Sequence, residues 1–317
     1  DKYKDASDAL QDDNAEAIRK AIWNAEQYRP DGIVEGKSLQ SLVTTPLPPA
    51  DHDYPFQCLQ DKLHGIRYQE LTTITSGSGQ GKSTFCRQLA VNLLTKGERV
   101  GYLALEESNR RTALGLMSTA VGKSLHIGEH DQEELEEHFR NTIANWNLYL
   151  FDGFGSFDPS IIYNRIEYLA SGLECRIIFV DHLSILLSGL EGDERRMLDQ
   201  TMTRLRSLVE RTGISLFLVS HLRRASSDRT SHEEGGKVSL SQLRGSAGIA
   251  QLSDQVIGLE RNQQSETERD LTTIRIVKNR YSGETGFAGK IRFDLNTSRF
   301  TEHEATESSV FNPASDF

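Results

Sequence analysis

The chain has 317 residues, 37% of them hydrophobic and 26% charged, which allows one large domain with appendages or two small ones and matches ordinary water-soluble globular composition. A net charge of -10 excludes a generally basic coat for nucleic acid but leaves room for a local basic site. The three cysteines (Cys58, Cys86, Cys175) have no metal-type spacing, and no apolar run approaches a membrane span; the expectation is reduced thiols in the cytoplasm and no membrane partner.

The start, DKYKDASDALQDD, is acidic and polar and lacks an initiator Met, so the numbered chain reads as a fragment. Residues 14–28 place Ala15, Ile18, Ala21, Ile22 and Ala25 on one helical face, with Asn14 as its cap, inside an N-terminal segment 1–32. Pro46, Pro48, Pro49 and Pro55 crowd into ten positions, which predicts a stiff linker across 33–62. From there, β-rich runs alternate with helical patterns. Strands are predicted at 70–75, 99–105, 147–151, 175–181, 214–220, 255–260, 271–278 and near 290. Helices fit 82–96, 107–121, 131–145, 159–171 and 193–212. This alternation predicts an α/β fold over 63–300, with a mostly parallel twisted sheet and helices on both faces. Residues 301–317 are acidic, with isolated Phe311 and Phe317, and read as a disordered tail.

Residues 76–84 read SGSGQGKST, the form of a phosphate-cradling loop. Gly77, Gly79 and Gly81 let successive N–H groups curl around an anion, with Ser76, Ser78 and Gln80 between them. Lys82 reaches the β and γ phosphates, Ser83 offers a hydroxyl to magnesium, and Thr84 continues the helix whose positive end faces the phosphates. The strict pattern has Gly where this chain has Ser76, a tolerable exchange at that turn.

Four further positions carry chemistry. Asp181 ends the apolar strand 175–181, where a carboxylate faces the ligand crevice and can hold magnesium opposite Ser83. Glu106 and Glu107 follow the next strand; Glu106 is the candidate base for the attacking water, and Glu107 is expected to begin the following helix. His221 ends strand 214–220 and reads either as a sensor of the γ phosphate or as a satisfied strand-end histidine. Beyond it, loop 222–238 carries Arg223, Arg224, Arg229 and Lys237, suited to a phosphate backbone or simply to solvent. Loop 243–248, with Arg244, Gly245 and Ser246, has the same two readings. Lys278 and Arg280 are clustered cations near the end of the sheet; they read either as groups supplied to a neighbour's site, which would require a ring or filament, or as solvated charges on a hairpin.

Taken together, TSGSGQGKSTF, LALEES, IIFVDHLSIL, VSHLRR, LRGSAG, LERNQQ and KNRYSGETG resemble, in this order, the ring helicases of phage replication. The likeness is to the helicase half of the primase-helicases of short-tailed T-odd phages, within the superfamily of bacterial DnaB and mitochondrial Twinkle, and covers about residues 1–300. It implies a RecA-like core that couples hydrolysis of dTTP or ATP with Mg2+ to travel on single-stranded DNA and duplex unwinding. It also implies a homo-oligomer (a hexamer, with seven subunits as the other ring size) working in the cytoplasm of the host cell. Carried over, Lys82 and Ser83 meet phosphates and magnesium, Glu106 is the base, Asp181 the second-motif carboxylate and His221 the sensor. Arg280 becomes an arginine finger, Arg261 lies beside the nucleotide, Phe293 packs on the base, and Gln251 is linked to the γ phosphate. The loops 222–238 and 243–248 would grip DNA, the helix within 1–32 would dock on the adjacent subunit, and the tail ending in Phe317 would contact the replicative DNA polymerase. The primase core and zinc motif are not found in these residues, and Ala250 stands where relatives can carry a basic residue. A strand-pairing recombinase with the same core and a nucleotide-gated assembly factor are the competing readings.

Overall fold

The computed structural model describes residues 3, 5–23, 33–153, 158–187, 194–222, 230–243 and 247–303. Asp1–Pro49 and Ala50–Phe317 form two compact units. In the first unit, Asp5 caps helix α1 (Ala6–Gln11) by accepting from the Ser7 and Asp8 N–H groups. Asn14 caps α2 (Ala15–Trp23) by accepting from the Ala17 N–H, as its position predicts, and Ile22 and Trp23 are exposed near the helix end. A 3₁₀ turn (Gly36–Leu39) runs into α3 (Gln40–Thr44), so the expected linker is partly helical.

The second unit begins at Ala50, earlier than the predicted boundary at residue 63. The reason is α4 (Gln57–Leu63), which buries Leu59 and Leu63 completely in the core and sets Cys58 against Gly289. Pro55 precedes this helix rather than interrupting it, and so leaves its hydrogen bonds intact.

The described strands are β1 (Leu71–Ser76), β2 (Val100–Ala104), β3 (Leu148–Leu150), β4 (Ile177–Asp181), β5 (Ser215–His221) and β6 (Gln255–Arg261), followed by β7 (Leu271–Asn279), β8 (Gly286–Asp294) and β9 (Arg299–His303). They form one sheet in the order β3-β2-β4-β5-β1-β6-β7-β8-β9. The six strands from β3 to β6 in that order run parallel, and β7, β8 and β9 add antiparallel at the edge. Residues 301–303, expected in the tail, pair within β9; 304–317 lie outside the described residues.

Helices cover both faces. On one lie α4, α5 (Lys82–Thr95) and α6 (Asn109–Val121), with α7 (Gln132–Asn141) packed beside α6. On the other lie α8 (Pro159–Ser171), α9 (Leu183–Leu187), α10 (Glu194–Thr212) and α11 (Ala247–Leu252). Ile177 and Phe179 enter the first core, Ile178 and Val180 the second, which is why β4 reads as an unbroken apolar run. Tyr102, Phe179 and Phe217 stack across β2, β4 and β5, with ring centroids 5.4 and 4.7 Å apart. Among the described residues no helix is long and apolar enough to cross a membrane.

Candidate nucleotide site

Parallel strands aim their C-terminal ends at one edge, and the ligand crevice of such sheets lies there. β1 stops at Ser76, the chain turns through residues 77–81, and α5 starts at Lys82. Gly79 and Gly81 have φ of +69° and +92°, where a Cβ would be strained. Gly77 is held for a different reason: a Cβ there would lie 2.6 Å from the Cβ of His232. Ser76 makes use of its hydroxyl, which donates to the Gly77 carbonyl at 2.8 Å and accepts from Lys82 Nζ at 3.0 Å.

Lys82 is 6% exposed and also donates to the carbonyls of Ser76 (3.2 Å) and Gly77 (2.8 Å). Burial pushes its ammonium down to about 8, opposed by the nearby Asp181 and Glu106 carboxylates. Thr84 sits half-buried in the first turn of α5. Gln80 is buried, and its amide donates to the backbone carbonyls of His232 and Arg261, tying the loop to the segments beside it. Ser78 is exposed, with its carbonyl accepting from Gln263 at 3.2 Å.

Asp181 closes β4 at 5% exposure, hydrogen-bonded to Ser83, while its Oδ1 has no hydrogen-bond partner. Burial raises its pKa; the Ser83 hydroxyl and Arg87 pull it back. A buried carboxylate oxygen without a partner, beside a hydroxyl, is a hard all-oxygen donor set, and its chemistry fits magnesium.

β2 pairs with β4 so that Ala104 lies opposite Asp181, which brings Glu106 to the same edge. Its side chain is 48% exposed, 3.1 Å from His182 Nε2, and its pKa is raised by burial and by Asp181, with Lys82 lowering it. Glu107 differs from expectation: α6 begins at Asn109 with Ser108 as its cap. The Glu107 carboxylate is held by Arg87 and by Thr112 Oγ1 at 3.0 Å, so it is fixed to the helices while Glu106 faces the crevice. His221 pairs in register with Ser76, and its ring meets that of His182 edge-on at 4.0 Å. His182 was given no role from sequence; its place directly after a strand-ending acid is the signal that could have found it.

Arg261 ends β6 beside the loop, its guanidinium on the Arg269 carbonyl and its pKa lowered by burial. Phe293 packs on Phe300 at 5.1 Å, and the Phe300 ring reaches Gly81. Lys278, Arg280 and Gln251 are elsewhere. Arg280 binds Asp254 Oδ1 (2.9 Å) and the Gln251 carbonyl (2.9 Å), and Lys278 donates to the carbonyls of Ala250 and Gln251. Asp254 Oδ2 accepts from the Leu71 N–H, at the start of β1. The group therefore sits at the opposite end of the sheet from Lys82, roughly 16–20 Å away along a six-residue strand.

Lys237 is exposed. Arg223, Arg224, Arg229, Arg244, Gly245 and Ser246 lie outside the described residues. The roots of their two loops do meet, in a bridge between Leu222 and Leu243 one residue beyond His221.

The sheet order, the loop after β1 and the buried Asp181 define a P-loop nucleotide-binding domain of the RecA-like type. The profile of the DnaB-like helicase C terminal domain matches residues 53–302, and the chain belongs to that family. It is 34% identical over 308 residues to the DNA helicase/primase of Enterobacteria phage T3, covering 93% of this chain and 54% of that protein. It is 28% identical over 228 residues to a probable plasmid replicative DNA helicase of Chlamydia muridarum, covering 70% and 48%. The chain spans about half the length of these curated relatives. Among solved structures, a DnaB-like replicative helicase described with its primase interactions aligns at TM-score 0.70 and 17% identity, over 94% of this chain and 74% of that one. A second solved structure, an ATPase domain, aligns at TM-score 0.71 and 19% identity, over 86% of this chain and 100% of that one. At those identities the likeness is one of fold.

Proposed function

We propose that the chain is the motor part of a replicative ring helicase, which couples hydrolysis of dTTP or ATP to translocation on single-stranded DNA and to duplex unwinding. The observation that carries the reading is the division of the site within one chain. Lys82, Ser83, Asp181 and Glu106 converge at the C-terminal ends of the parallel strands, while Arg280 lies at the opposite end of β1. A homo-oligomer that sets one copy's Arg280 edge against the next copy's phosphate loop, as in a hexameric ring, reunites them.

Lys82 and the loop N–H groups bind the β and γ phosphates, and Arg261 and Phe293 border the nucleotide. Ser83 and Asp181 would hold Mg2+, which when bound neutralises phosphate charge and orients the triphosphate. Glu106 takes the proton of the attacking water, positioned by the His182 imidazole. His221, beside both Ser76 and the bridged loop roots, passes loss of the γ phosphate to loops 222–238 and 243–248, where Arg223, Arg224, Arg229, Lys237 and Arg244 meet DNA phosphates. Gln251 moves with Arg280, reporting the neighbour's γ phosphate. The N-terminal helix α2, apolar at Ile22 and Trp23, docks on an adjacent copy. The C-terminal tail ending in Phe317 is the proposed polymerase contact, in the cytoplasm of an infected cell.

The test is hydrolysis of ATP and dTTP with and without single-stranded DNA, on the wild type, Glu106→Gln and Arg280→Ala. Stimulation by DNA, with turnover reduced at least 100-fold in both variants while nucleotide still binds, is expected for a shared site. Turnover that ignores DNA and Arg280 would leave a nucleotide-gated assembly factor as the better reading.

A further inference from the structure

Three neighbouring strands each bring one potential ligand to the same edge. Glu106 follows β2, His182 follows β4, and His221 ends β5. One donor atom from each, a carboxylate oxygen and two imidazole nitrogens, lies within 4.8 Å of the other two. Glu106 and His182 are already at 3.1 Å, and the two rings meet edge-on at 4.0 Å. Zinc bonds of about 2.0–2.2 Å place neighbouring ligand atoms roughly 3–3.5 Å apart, so closing the set takes a side-chain shift on the order of 1 Å. His182 is 3% exposed, whereas Glu106 opens to solvent, which gives one wet side for ion entry and for a water ligand. Among the described residues this is the one group of three His, Cys, Asp or Glu side chains so arranged.

The donor types separate this set from its neighbour. Ser83 and Asp181 offer only hard oxygens, suited to magnesium. Two imidazoles and a carboxylate suit zinc, cobalt or nickel, which magnesium does not displace from nitrogen ligands. We propose that Glu106, His182 and His221 form a second divalent-cation site, selective for zinc-type ions, whose occupation stops nucleotide hydrolysis. Binding stands on the geometry alone, whereas the inhibition rests on the function proposed above. Zinc bound to the Glu106 carboxylate draws charge from it and makes it a much weaker base toward water, and His221 bound to the same ion cannot follow the γ phosphate. Nothing is oxidised or cleaved; the ion competes for ligand atoms that turnover needs.

The experiment starts with the whole 317-residue chain without nucleotide, titrated calorimetrically with Zn2+ in millimolar Mg2+ and, in parallel, with Co2+ followed by its visible absorption. One ion per chain at micromolar concentration is expected, weakened at least tenfold in His182→Asn, in His221→Asn and in Glu106→Gln. Thermal melts of each variant check that it is folded. Failure to bind stoichiometrically in excess Mg2+ overturns the site, and so does unchanged binding in the folded His182→Asn/His221→Asn double variant, which would point to cysteine thiols instead. In the wild type, inhibition of turnover should follow the same midpoint as binding and reverse with a zinc-selective chelator. Binding without inhibition would refute the switch. A chain that binds zinc but hydrolyses no nucleotide would refute the helicase reading and leave the site standing.

Discussion

Adjacent glutamates at the edge of the candidate nucleotide site are set apart by what holds each of them. Glu107 is tied to Arg87 and Thr112, whereas Glu106 faces the crevice beside His182. A second acid, Glu70, shows the same sensitivity to surroundings far from the site. It accepts from the Gln255 amide at 2.8 Å, and burial pushes its pKa to about 7 from an ordinary 4.5, with Arg67 opposing and Asp254 adding. Between those values the native chain keeps a proton that the unfolded chain has released. The contribution of Glu70 to stability is therefore full below pH 4.5 and is lost as pH rises through 7. Glu70→Gln keeps an acceptor for Gln255 but carries no charge to bury. At pH 8 it should be more stable than wild type by on the order of 1–3 kcal/mol, the lower end following from partial exposure to water. The gain should vanish near pH 4.5. Denaturant melts of both proteins from below that value up to about pH 8 check this, and parallel curves would show that Glu70 is ordinary.

At the scale of elements, α4 is the sharpest difference between sequence and structure. Four prolines in ten positions read as linker, yet Leu59 and Leu63, both beyond the last of those prolines, are fully buried. Leu59→Ala should lower the stability of the second unit by about 2–5 kcal/mol, read as a shifted midpoint in chemical denaturation; a change below about 1 kcal/mol would return the segment to linker status. The parallel strands were legible because burial on both faces leaves unbroken apolar runs such as Ile177–Val180, and the loop at 76–84 because phosphate cradling restricts residue types so narrowly. β9 and the short helices α1, α3 and α4 were not, since five to seven residues hold too few periods to stand out and their stability comes from distant contacts. His182 was missed for a similar reason: its importance lies in Glu106 and His221, which are remote in sequence and join it only through strand order.

At the scale of the whole molecule, if Arg280 belongs to the nucleotide site as proposed, one chain does not complete that site alone, because β1 separates Lys82 from Arg280. This makes a strong demand on assembly that single variants cannot test fully, since Lys82→Ala and Arg280→Ala should each be inactive under many schemes. Mixing them is more decisive. If sites form between copies, an Arg280→Ala subunit still supplies an intact phosphate loop, and a Lys82→Ala neighbour still supplies an intact arginine. Random assembly from equal amounts would make roughly a quarter of interfaces whole, and hydrolysis should recover to about that share of wild type. Size-exclusion chromatography establishes that mixed assemblies form, and subunit exchange before the assay ensures randomness. A mixture as inactive as its components, in assemblies shown to be mixed, would place Arg280 outside the shared site. Recovery would tie the geometry of one sheet to the cooperation of several subunits, with one copy's Arg280 edge set against the next copy's Glu106 and Asp181.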